Sequence, residues 1–253
     1  SVLRLSSSPA QFWDFVGWDT IHGEAVGLAC GYALMRRGQS VLVLEAAQVI
    51  GEGVSARNSE VVHGGLYYPT GSLKARLCVT GRRALYAFLD AHKVTYDRCG
   101  KLVVGTTQAE AERLEGIMLQ AQANDVEGMV RLTGAQARAM EPQLACEAAL
   151  LSPESGVFDS HGYMLALRGE IEAANGTVVT STPLLGATPR QDGGWDVRAG
   201  GADPMTVTTR NLVTAPGLDA QAVAASLEGF PAHLIPKGHF GKGVYFRLRG
   251  TAP

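Results

Sequence analysis

The run from Ser55 to Tyr68, SARNSEVVHGGLYY, gathers side chains that could do chemistry. His63 is its only group with a pKa near neutrality, suited to taking or giving a proton in water at pH 7. Gly64 and Gly65 follow directly; with no Cβ they let backbone amides come close to a bound group. Ser55 and Ser59 can donate to phosphate or ring oxygens. Tyr67 and Tyr68 could shape a pocket, although neighbouring aromatics commonly serve a core. Arg57 and Lys74 could meet a carboxylate, with surface solvation as the plain alternative. For His63 the plain alternative is an imidazole satisfied by packing.

A second constellation precedes this run. Residues 25–37, AVGLACGYALMRR, are small and apolar and read as a helix stopped by Gly38. VLVLE at 41–45 reads as a strand buried on both faces of a parallel sheet. Helix, glycine, strand and terminal acid form the second half of a βαβ unit. A dinucleotide site needs G-x-G-x-x-G at the start of such a helix and an acid about 20 residues on. Gly27 supplies the third glycine, and Glu45 could hold a ribose diol. Residues 22–27 read HGEAVG, so His22 and Glu24 occupy the first two glycine positions. A glutamate there brings bulk and negative charge toward a pyrophosphate. Gly23, Gly27 and Gly31, spaced by four, could equally serve close helix packing.

Composition narrows the classes. With 22 Lys+Arg against 24 Asp+Glu in 253 residues, the net charge of −2 argues against a nucleic-acid or anionic-membrane footprint. The four cysteines, at 30, 78, 99 and 146, form no C-x-x-C, so neither a metal site nor a disulfide framework is expected. The first residues lack a signal-peptide apolar run, and no uninterrupted apolar stretch reaches about 18 residues. A cytoplasmic location is the default expectation, with a peripheral membrane contact left open. Glycine is abundant, 31 of 253, which calls for tight turns or close backbone approaches.

Further along, helices are expected at 73–92, 108–123, 133–140, 161–174 and 219–228. Strands are expected at 101–106, 148–151, 156–158 and 177–182. LLGATPR, GWDVRAG and PMTVTTR, parted by turn residues, read as a small antiparallel meander. NLVTAPGL reads as an apolar strand ending in Gly217, and GKGVYFRLRG as a strand. Strands alternate with helices at both ends while the middle differs. That pattern predicts an α/β nucleotide domain interrupted by an α+β insertion.

Residues 55–78 also carry a resemblance. Asn58-Ser59, Val61-Val62-His63, Gly65-Leu66-Tyr67-Tyr68 and Ser72–Cys78 are similar to the flavin-contacting loop of FAD-dependent oxidoreductases of the D-amino-acid-oxidase type. The likeness is closest to the L-2-hydroxyglutarate dehydrogenase (oxidase) branch. CGKLVV at 99–104, EPQL at 141–144, SGVFDSH at 155–161, NLVTAPGLDA at 211–220 and KGVYF at 242–246 resemble further family elements.

The resemblance implies an α/β fold with a Rossmann-like FAD-binding domain interrupted by an α+β substrate domain. The FAD-binding parts are expected at 1–84 and 148–224, the substrate parts at 85–147 and 225–253. It implies FAD as cofactor, no metal, and oxidation of a small 2-hydroxy acid by hydride transfer to flavin N5. Oxygen or a quinone would accept the electrons. His63 becomes the candidate base, or a ligand to the flavin edge. Gly27, Glu45, Ser55, Asn58, Ser59, Val62, Gly64, Gly65 and Gly217 become cofactor contacts; Tyr67 and Lys242 become substrate contacts. The departures are His22, Glu24, Pro216 in place of alanine, and Val244 in place of asparagine. Together with the expectation that residues 1–24 are not native to the family and that the C-terminal portion is missing, they leave a second reading: a non-catalytic remnant that does not retain FAD.

Overall fold

A computed structural model describes residues 24–241 and residue 243. The described chain divides into two compact units: residues 24–58 with 160–241, and residues 59–159 with 243.

The first unit opens on α1 (Glu24–Met35), which small side chains allow to pack closely. A Cβ added at Gly31 would stand 3.2 Å from Ile171 and 3.3 Å from Val41 and Val43. Close packing thus accounts for one glycine of the four-spaced series. Gly38, at φ +77°, takes the left-handed conformation that ends the helix, and its amide donates to Met35 O. Strand β1 (Leu42–Leu44) pairs in parallel with β8 (Thr177–Val179). The crossover ends in α5 (Ser160–Ala173), whose Leu167 and Ile171 are buried with Leu28, Val43 and Leu44. Strands β9 (Leu184–Pro189), β10 (Trp195–Ala199) and β11 (Met205–Thr209) form the expected antiparallel meander. The helix α6 (Ala220–Ser226) places Val223 against its Leu184, Ala187 and Val197.

The second unit is α+β. Ser72 caps α2 (Leu73–His92) by accepting from Ala75 N at 3.1 Å. Capping boxes start α3 (Gln108–Ala123) at Thr107 and α4 (Gly134–Met140) at Thr133. Strand β6 (Ala148–Ser152) lies between β4 (Lys101–Gly105) and β5 (Val130–Thr133), all antiparallel. A second sheet puts β7 (Gly156–Phe158) between β2 (Val61–Val62) and β3 (Tyr96–Asp97). Ala111, Leu114, Ala148 and Leu150 form one core cluster; Leu66, Val79, Ala121 and Val126 form another.

An α/β unit interrupted by an α+β insertion is therefore the architecture, as expected. Its partition lies elsewhere than the expected boundaries. Position 84/85 falls inside α2 and 224/225 inside α6, where helical hydrogen bonds run through. Residues 148–158 pair with β2 to β5, so they belong to the insertion. Residues 211–216 form no strand: Pro216 lacks an amide proton, and Leu212 is used instead as a packing residue. The short β2, β3 and β5 have no periodic signature and were not expected. The strand expected within 241–250 lies outside the described residues.

Candidate functional site

In the first unit, Gly27, Ser55 and Asn58 lie around the start of α1, and Glu45 follows β1. Gly27 is buried in α1. Ser55 lies in a 3-10 turn, Val54–Ala56, and its hydroxyl accepts from Ala25 N at 3.4 Å. A hydroxyl therefore sits at the helix N-terminus, where amides and the helix dipole favour an anion. Asn58 donates its side-chain amide to Ser55 O, and Ser160 Oγ donates to the same carbonyl at 3.4 Å. Glu45 follows β1 and is buried, 2% exposed. Its backbone N–H donates to Val179 O, its carbonyl accepts from Thr182 N, and its carboxylate accepts from Ala47 N at 2.8 Å. Gly217 opens a 3-10 turn at φ +54° and is exposed. A helix N-terminus with a hydroxyl, a buried glycine on the first turn and an acid ending the next strand fit a dinucleotide. His22 lies outside the described residues, and of Glu24 only the backbone is described.

The second unit holds Ser59, Val62, His63, Gly64, Gly65 and Tyr67. Ser59 is exposed. Val62 is buried and pairs with Gly156, so its backbone is what remains for a ligand. Gly64 is demanded by packing: a Cβ there would come within 2.9 Å of Ser152 Oγ and 3.2 Å of Ser155 Oγ. Those two buried hydroxyls bond each other at 3.0 Å. Gly65 stands at φ +95°, which side chains other than glycine avoid, and rests against Val79. Packing at Gly64 and backbone conformation at Gly65 thus give the glycine pair an intramolecular cause.

His63 faces a small recess lined also by Gly64, Tyr67, Tyr68, Lys101 and Ser155. Partial burial of the ring, then the Lys101 and Lys74 charges, hold its pKa below the ordinary histidine value. The imidazole is therefore neutral at pH 7 and able to accept a proton. Cys78 Sγ donates to His63 O at 3.3 Å, and burial pushes that thiol's pKa up, keeping the proton on sulfur. Lys74, expected to be solvated, is exposed, but its ammonium stands 4.5 Å from the centre of the Tyr68 ring. Arg57 is exposed. Lys242 lies outside the described residues.

Two residues were not singled out from sequence. Lys101, in the CGKLVV element, begins β4 and faces the recess. A lysine after glycine at a strand start was the available signal. Asn124, just past α3, is buried, and its amide donates to Gly65 O at 3.1 Å and Tyr68 O at 2.8 Å. It ties the two ends of the glycine–tyrosine turn to the insertion. Nothing local in the sequence marks that link. Asn124→Leu leaves both carbonyls without their donor and should cost about 1–3 kcal/mol, read as a lower urea midpoint.

Comparison with known proteins follows the same lines. The family model described as FAD dependent oxidoreductase (DAO) matches residues 25–253. L-2-hydroxyglutarate dehydrogenase, mitochondrial, of Arabidopsis thaliana is 37% identical over 91% of this chain and 53% of its own length. The Caenorhabditis elegans protein of that name is 33% identical over 87% and 52%. L-2-hydroxyglutarate dehydrogenase of Escherichia coli is 30% identical over 77% and 44%. The chain spans about half the length of the curated relatives it matches. The word mitochondrial in the plant and nematode names lends the cytoplasmic expectation no support. No described helix is long and apolar enough to cross a membrane.

Solved structures share the fold. L-α-glycerophosphate oxidase from Mycoplasma pneumoniae, solved with FAD bound, superposes with a TM-score of 0.76 at 20% identity, over 84% of this chain and 56% of that one. Glycine oxidase from Geobacillus kaustophilus gives 0.71 at 23%, over 85% and 58%. With the family model matched from the first turn of α1 onward, this chain belongs to the FAD dependent oxidoreductase family.

Proposed function

We propose that the protein of which this chain is part or whole oxidises a small 2-hydroxy acid, of the L-2-hydroxyglutarate kind, to the 2-oxo acid. The observation that carries this reading is His63, a neutral imidazole beside two ammonium groups in a glycine- and tyrosine-lined recess. The relatives named L-2-hydroxyglutarate dehydrogenase support the substrate class.

FAD, when bound, would supply the acceptor for the hydride leaving C2. Gly27, Ser55 and the first amides of α1 would hold its pyrophosphate, with Glu45 on the ribose. Asn58, Ser59, Gly217 and the backbone of Val62, Gly64 and Gly65 would make the remaining contacts. His63 takes the hydroxyl proton onto an imidazole nitrogen as the C2 hydride leaves, so the substrate loses two electrons and two hydrogens. Tyr67 would pack beside the substrate, and Lys242, which lies outside the described residues, is the second substrate contact that the family resemblance implies. Oxygen or a quinone would be the final electron acceptor.

The test is an anaerobic absorbance titration of the purified, FAD-saturated chain with L-2-hydroxyglutarate. Loss of the oxidised flavin band, with 2-oxoglutarate formed in equal amount, is expected. A flavin band unchanged at saturating substrate overturns the reading. The pH profile adds a sign. Protonation of His63 removes the base, so kcat/KM falls on the acid side. Because burial and then Lys101 and Lys74 lower the His63 pKa, that limb lies below pH 6.5.

A further inference from the structure

Two ammonium groups flank the His63 recess from different elements. Lys101, half-buried at the start of β4, holds Nζ 5.2 Å from the centre of the Tyr67 ring. Lys74, in the first turn of α2, holds Nζ 4.5 Å from the centre of the Tyr68 ring. Four arginines of this unit have carboxylate partners: Arg82 and Arg83 share Glu127, Arg98 meets Glu154, and Arg131 meets Glu115. Among the described residues no carboxylate lies within ion-pair distance of Lys74 or Lys101. An ammonium resting on an aromatic face is ordered and has shed part of its hydration there. Its other protons remain free to donate to an oxygen anion.

Two point charges, each on its own ring and its own element, suit two anionic groups separated by a short carbon chain. A single compact phosphate is the competing anion, and the titration below separates the two. We propose that Lys101 and Lys74 form a paired carboxylate subsite beside His63, selecting small dicarboxylates over monocarboxylates. This rests on the function proposed above for its place in catalysis, though the binding itself requires no turnover. The nearest charges that face His63 are these two lysines, so a bound carboxylate between them offsets their effect and moves the imidazole pKa upward.

The experiment follows the His63 Cε1–H resonance of the carbon-13 histidine-labelled chain, assigned with His63→Gln, during titration with glutarate, butyrate and inorganic phosphate. Glutarate is expected to raise the His63 pKa saturably, and to bind about tenfold or more tighter than butyrate, the gain of one charge-assisted contact. Lys101→Met and Lys74→Met should each reduce glutarate to the butyrate affinity, and Lys101→Arg should retain most of the response. Glutarate binding no tighter than butyrate overturns the proposal, as does a double Lys→Met variant that binds glutarate normally. Phosphate saturating the site as tightly as glutarate overturns it in favour of a simple anion site. Failure of the flavin titration above leaves these outcomes readable. An active enzyme whose KM for L-2-hydroxyglutarate is unmoved in Lys101→Met removes the subsite while keeping the activity.

Discussion

His63→Gln is expected to lower the rate of 2-hydroxy acid oxidation by about 10²–10⁴-fold, with bound flavin and unfolding midpoint near those of the unsubstituted chain. The ring is exposed at the edge of its recess, so its removal leaves no core cavity. Glutamine retains much of the volume and can still hydrogen-bond, but it cannot take a proton at neutral pH. Stopped-flow flavin reduction separates the outcomes. A slow reductive step with unchanged substrate affinity assigns His63 to proton transfer. An unchanged rate with lost flavin would assign it to cofactor binding, and an unchanged rate with retained flavin would return it to packing.

The second large effect is expected at Gly156. It is the register partner of Val62, two residues before the β7 end, and β7 holds β2 to β3. A Cβ there would fall into contact with Asp97 O and within 2.6 Å of Tyr86 Oη. Tyr86 is itself buried and donates to Glu154 O at 3.1 Å, so neither neighbour can move without breaking a bond or a ladder pair. Gly156→Ala should therefore destabilise by about 3 kcal/mol, read as a lower thermal midpoint, and should loosen the strand that leads into His63. A variant with an unchanged midpoint would show that the β2–β7–β3 sheet yields more readily than its packing implies.

Much of the fold was legible because its signals are local. The helix at 73–92 shows its Ser72 cap, and that at 108–123 its Thr107–Glu110 capping box; both lie where the sequence puts them. The apolar run at 41–45 and the turn-parted meander follow from burial on two faces and from alternation. The domain edges were less legible. The resemblance places an edge at 84, whereas the hydrogen bonds of α2 pass straight through it. Strands of two to four residues, β2, β3 and β5, carry too few side chains for any period and exist through their partners.

The same division runs through the candidate site. Residue type alone determined which groups could do the chemistry. His63 is the one near-neutral base of its run, Gly65 the residue able to sit at φ +95°, and Glu45 the acid that ends a buried strand. These are properties of single residues and short spacings, and they travel with the sequence. Tertiary structure alone decided what surrounds them. Asn124 reaches Gly65 and Tyr68 from 59 and 56 residues away, and Lys101 closes on Tyr67 from the start of β4. Ser152 and Ser155 fill the space that a side chain at 64 would need. The lowered pKa of His63 belongs to this second class. Burial and the field of two distant lysines set it, and neither exists until the chain is folded.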